Sequence, residues 1–129
     1  MTEGKAIYSI LTSDSDVNAI VGTRVYPQIA AQGAAFPFVV YVLQDTSPSD
    51  TKSGVSTLDE IRYDIVVASE TYAEASDLTN KIRTALDRYT GTVESVVIDS
   101  IQFIDLDADN DPGTETYLTS AEYIIRVKR

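Results

Sequence analysis

Apolar and polar positions along the chain follow two periods. In Glu3–Thr12, Ile7, Tyr8, Ile10 and Leu11 recur at helical spacing and predict a first helix. "SDSD" at Ser13–Asp16 offers capping side chains for a short helical piece over Val17–Val21, and Gly22 ends it. Arg24–Tyr26 is extended, because the residue before a proline is pushed out of the helical region. Phe38–Gln44 is an apolar run that reads as a strand, with Pro37 at its start, where a sheet tolerates proline. Gln44–Ser56 is polar and without period, and predicts a mobile loop used in binding. In Thr57–Ser69, Ile61, Tyr63, Ile65 and Val67 fall on one face of a strand and Arg62 and Asp64 on the other. These two strands form a hairpin.

The segment "TYAEASDLTNKIRTALDRYTG", Thr71–Gly91, carries the strongest helical signal. Thr71 and Glu74 fit a capping box. Tyr72, Ala75, Leu78, Ile82, Ala85, Leu86 and Tyr89 form its stripe, and Gly91 closes it. Thr92–Leu106 is a strand whose alternation slips near Ile98, the mark of a bulge. Asp107–Glu115 is a turn. Thr116–Arg129 is a last strand with Tyr117, Thr119, Ala121, Tyr123, Ile125 and Val127 inward. The predicted fold is one α+β domain over 1–129. It has a four-stranded, mainly antiparallel sheet of two hairpins, helices packed on one face, and the order α-(α)-β-β-α-β-β.

Strand 38–43 raises a difficulty. Phe38, Val40 and Val42 make one face apolar, and Val39, Tyr41 and Leu43 the other. A strand with one wet face should alternate. The second face needs a cover, either the small-residue segment 30–35 or a neighbouring subunit.

Composition narrows the function. The 129 residues suffice for one self-supporting core. Cysteine and histidine are both absent, which excludes thiol chemistry, thiolate metal sites and the usual general base. Net charge is −10, with ten basic against twenty acidic residues. That balance argues against binding nucleic acid or an anionic membrane. No apolar run is long enough to span a bilayer, and the first residues lack a signal-peptide pattern.

Asp105, Asp107, Asp109, Asp111 and Glu115 have the alternate spacing of a calcium loop. The template fails, since its glycine position holds Asn110 or Pro112 and its glutamate position Thr116 or Leu118. A solvated turn at Pro112-Gly113 is the better reading. The carboxylate pairs Asp59/Glu60 and Asp14/Asp16 are what twenty acids produce by chance, and no phosphate-binding loop is present. Six of the eight tyrosines (Tyr8, Tyr63, Tyr72, Tyr89, Tyr117, Tyr123) fall on apolar stripes, which points to core packing rather than base stacking. No catalytic residue, cofactor or metal is expected.

The stretch "VGTRVYPQIAAQGAAFPFVVY", Val21–Tyr41, together with the helix "TYAEASDLTNKIRTAL", resembles the siphophage tail-completion or tail-terminator proteins, also described as tail-to-head joining proteins. The resemblance runs from about Ile7 to Leu86. It departs at Ala31, where members usually have proline. It implies a structural protein of the virion, assembled in the host cytoplasm. Such proteins form a ring, by analogy a hexamer, at the head-proximal end of the tail. The implied partners are further copies of the chain, the tail-tube protein and the head connector. DNA only passes through, and no membrane is involved. Six copies would carry about −60, a wall that repels phosphates over roughly a Debye length, ~8 Å.

Candidate interface residues are Asp50 and Lys52 in the loop, Tyr41 on the two-faced strand, and Arg126, Lys128 and Arg129 at the basic end of the last strand. An acidic patch on a neighbouring copy would receive that end. The alternatives are a head-closure or minor tail component, or a non-viral calcium-binding or adaptor domain.

Overall fold

Tyr63 and Tyr123 face each other across the middle of a six-stranded mixed sheet, and both are almost wholly buried. The computed structural model describes residues 3–28, 35–48, 58–111 and 116–128. Its helices are α1 (Glu3–Ser13), α2 (Ser15–Val21) and α3 (Tyr72–Leu86). Its strands are β1 (Val25–Pro27), β2 (Phe38–Pro48), β3 (Leu58–Ser69), β4 (Gly91–Val93), β5 (Val96–Asp111) and β6 (Thr116–Lys128). The strand order is β1-β2-β3-β6-β5-β4, with β1 parallel to β2 and every other pair antiparallel.

This corrects the four-stranded sheet and the order α-(α)-β-β-α-β-β. Two strands of three residues, β1 and β4, extend the sheet at its two ends. Three residues are too few to carry a readable alternation. Glu94 and Ser95, at φ 51 and 66, form a two-residue turn that splits the expected strand 92–106 into β4 and β5. Such a turn is usually signalled by Asn-Gly or Asp-Gly, and this one is not.

Cross-strand rows make the inner face. Leu43, Tyr63, Tyr123 and Phe103 form one row across β2, β3, β6 and β5; Ile61, Ile125 and Ile101 form the next. Onto this face pack Ala75, Leu78, Ile82 and Leu86 of α3, with Ile7 and Leu11 of α1 and Val17 and Val21 of α2. Burying a side chain of that size contributes roughly 1.5–3 kcal/mol each.

Three register shifts keep the polar residues off the core. The expected slip near Ile98 is a bulge between Ile98 and Ser100, which lets both Ile98 and Ile101 face inward. A second, between Phe103 and Asp105, has larger consequences. Strict alternation from Ile101 and Phe103 would point Asp105 and Asp107 into the core. The extra residue, Ile104, turns them to the outer face. A third shift, at Gln44, interrupts β2.

The chain's motifs are mostly scaffold. Asp14 caps α2 by accepting from the backbone N–H groups of Asp16 and Val17. Gly22 ends it at φ 59, a conformation that favours glycine. Arg24 donates from Nε to Pro37 O at 2.9 Å and from Nη2 to Ile20 O at 3.1 Å, tying the end of α2 to the entry of β2. Gln28 locks β1 onto β2 through Tyr41 O and the Leu43 N–H. At α3, Thr71 accepts from the Glu74 N–H, as a capping box requires. The Glu74 carboxylate instead accepts from the Ser69 hydroxyl, which in turn accepts from the Thr71 N–H.

Helix α3 stops at Leu86 rather than at Gly91, because Arg88 turns to φ 65 and donates its N–H to Ile101 O. Tyr72, expected on the core stripe, is 66% exposed, and Tyr8 also reaches the surface. Of the expected loop 44–56, residues 44–48 continue β2. Residues 49–57 lie outside the described residues, as do 29–34 and 112–115. On the outer face Phe36 stacks on Phe38, and Tyr26 meets Phe38 edge-on, beside buried Val40 and Ala68.

The Tyr123 hydroxyl is buried and has no hydrogen-bond partner among the described residues. Burial, then the charge of Asp87, pushes its ionisation far above the usual tyrosine range, so it stays neutral. An unsatisfied buried hydroxyl costs about 1–3 kcal/mol. Tyr123→Phe should therefore leave the melting temperature unchanged or raise it by a few degrees in thermal denaturation. A clear fall would mean the hydroxyl has a partner that matters.

Candidate functional site

On the outer face, Asp64 of β3 lies directly opposite Glu122 of β6, which lies directly opposite Asp105 of β5. Asp107 stands two residues further along β5, opposite Ser120. With Gln44 these side chains line a groove of about 230 Å³. Like charges placed directly opposite are destabilising in a sheet. Relief is partial. Arg62 reaches Glu122 at 3.4 Å, and Gln44 donates to Asp64 at 2.9 Å. Burial, then the charges of Glu122 and Asp107, raises the Asp64 carboxyl above its ordinary range, against the opposing Gln44 bond.

The backbone at 105, 107, 109 and 111 belongs to an extended strand, not to a loop. Alternate side chains such as Asp105 and Asp107 stand about 6–7 Å apart. Bonds of about 2.3–2.6 Å to a single calcium ion need them closer. Among the described residues no group of three or more acidic side chains is placed to hold a metal.

A second surface gathers three arginines. The end of α3 is clamped to β5, since the Phe103 N–H donates to Asp87 Oδ1 and the Arg88 N–H to Ile101 O. Beside this clamp lies a depression of about 630 Å³ that brings together Arg83, Arg88 and Arg126 with Asp87 and Asp99. Arg83 lies over the Phe103 ring at 4.0 Å and reaches Asp87 at 3.8 Å. Arg126 reaches Glu60 at 3.7 Å. Arg88 has no ion pair among the described residues.

Beyond the clamp, Ile104 and Leu106 are exposed, Leu106 beside Tyr72. Of the interface residues expected from sequence, Arg126 is in the arginine depression and Lys128 is exposed at the end of β6. Tyr41 is 8% exposed, at the floor of a groove formed with Lys5 and Tyr8 of α1. Asp50, Lys52 and Arg129 lie outside the described residues. Asp64, Glu122, Arg83 and Arg88 were not anticipated. Their signal is the polar half of each alternation, which becomes a surface only once the strand order is known.

Residues 5–128 match the family described as tail completion protein gp17. The chain belongs to that family. No curated protein sequence matches it. Among solved structures, a chain of "Virion of native gene transfer agent (GTA) particle" has the same fold, at TM-score 0.79 and 19% identity, over 95% of this chain and 92% of that one. A tail completion protein has a structural task in the phage tail. The reading as a non-viral domain falls away.

Asp64 sets a pH dependence. Its folded-state ionisation lies above the ordinary aspartate value of about 3.9, so the charged form weakens the fold at neutral pH. This contribution recovers as pH falls through the folded value, and is complete below the unfolded one. Asp64→Asn should raise the melting temperature near pH ~7, and the gain should vanish near pH ~3. A gain independent of pH would assign the effect to packing instead.

Proposed function

We propose that this tail completion protein works as a ring of like subunits, a hexamer by family analogy, that closes the head-proximal end of the tail tube and joins it to the head connector. The observation that carries this reading is that the sheet ends in two unlike edges. One is the three-residue β1, next to the exposed aromatic Phe36. The other is β5 beyond the clamp at Phe103, flanked by Leu106 and Tyr72. Among the described residues no strand covers either edge. Unlike surfaces on one chain favour head-to-tail contacts, and these close into rings when the rotation allows.

The charge supports a conduit. DNA slides past an acidic wall without being held, and a chain of net −10 builds such a wall from any number of copies. The segment bearing Asp50 and Lys52 and the basic end at Lys128 and Arg129 are proposed contacts with the tube or the next subunit.

Native mass spectrometry of the purified protein, with and without its tail-tube protein, tests the reading. A closed oligomer is expected in the presence of tube. A single copy bound per tube would overturn the ring.

A further inference from the structure

We propose that the acid groove of Asp64, Glu122, Asp105 and Asp107 on one copy receives the arginine edge, Arg83 and Arg88 with Arg126, of the next. This rests on the ring reading above and names the contact that builds it. Two copies of a chain with net charge −10 repel each other. A stable contact must set its scarce cations against its acids. The cations are not spread evenly, since three of the ten basic residues line one depression with two acids, Asp87 and Asp99; Arg83 reaches Asp87 and Arg126 reaches Glu60, while Arg88 has no ion pair among the described residues.

The acids cluster too. Asp64, Glu122 and Asp105 stand side by side across three strands at a cost to the fold, and of the four groove carboxylates only Glu122 has a cationic partner among the described residues. A neighbour's guanidinium groups relieve that repulsion. Arginine suits the task, because its planar fork meets carboxylates in pairs.

The two surfaces cannot satisfy each other within one chain. Arg126 lies four residues from Glu122 along β6, about 13 Å at ~3.3 Å per residue, and Arg62, opposite Ile124 between them, already pairs with Glu122. No arginine of the depression pairs with an acid of the groove. Arg83 and Arg88 lie at the end of α3 and the acids on the outer face of the sheet, so the two surfaces are unlike and the contact can run head-to-tail. The bulge at Ile104 makes the arrangement possible by turning Asp105 and Asp107 outward.

Two variants test this in the full chain with tail-tube protein, read by native mass spectrometry. Arg83→Glu/Arg88→Glu leaves both surfaces acidic, and Asp105→Lys/Asp107→Lys leaves the edge basic while adding cations to the groove. Each alone should assemble at least about tenfold more weakly than the wild type. Mixed in equal amounts they should recover, since each variant's edge then suits the other's groove. The recovered rings should hold equal numbers of the two chains, and wild-type rings should weaken as added salt shortens the screening length.

Thermal melts check folding. Should the double arginine change unfold the chain, Arg88→Glu alone serves, because that side chain is exposed and has no ion pair among the described residues. If either variant assembles like the wild type, or the mixture assembles no better than its parts while the wild type closes, this contact is wrong and the ring stands. If the wild type forms no closed oligomer, the ring reading falls and this contact with it.

Discussion

Every residue of β3 from Leu58 to Ser69 pairs in unbroken register with β6 from Lys128 back to Tyr117. The rest of the molecule depends on this ladder. It sits at the centre of the sheet, with β2 and β1 on one side and β5 and β4 on the other. It sets Tyr63 beside Tyr123 and Ile61 beside Ile125, the floor on which α3 rests. Register here is tightly specified, because a slip of one residue would exchange those side chains for Arg62, Glu122 and Arg126. The same register that buries the tyrosines aligns Asp64 with Glu122. Core and acid groove are two faces of one pairing.

What the sequence made legible follows from that two-residue period. Ile61, Tyr63, Ile65 and Val67 were readable as an inward face, as were Thr119, Ala121, Tyr123, Ile125 and Val127, and all are buried. Local side-chain chemistry was readable as well, as Asp14 and Thr71 show at their caps. Neighbour relations across the sheet were not. Which strand lies beside which is decided by contacts distant in sequence, so the row Asp64–Glu122–Asp105 is invisible until β6 is known to lie between β3 and β5. The break at Glu94–Ser95 was hidden because residues other than glycine and asparagine adopt the turn. Tyr72 misled because a residue on a helical stripe can touch the sheet from its margin: it meets the Tyr117 ring edge-on and still stays exposed.

The family stretch from Val21 to Tyr41 has a physical content that the resemblance alone did not supply. Gly22 permits the reversal after α2, Arg24 ties two carbonyl groups, Val25 enters the core and Gln28 locks the backbone of β2. These residues hold the short parallel strand β1 in place. They work as internal joinery, and the surfaces that differ in charge lie elsewhere, on the outer face and at the end of α3.

The strand order also bears on how a subunit comes into being. β6 follows every other strand in the chain, yet it lies between β3 and β5. A nascent chain on the ribosome cannot complete the sheet until β6 has emerged, because β3 waits more than forty residues for its inner neighbour. Pairings that span such separations form slowly and leave edges open meanwhile. The geometry that turns Asp105 and Asp107 outward depends on β6 as well, because Asp105 is held opposite Glu122 and Asp107 opposite Ser120. A fragment that ends before β6 lacks both the central ladder and the finished groove. Core and groove are thus completed together, by a single strand.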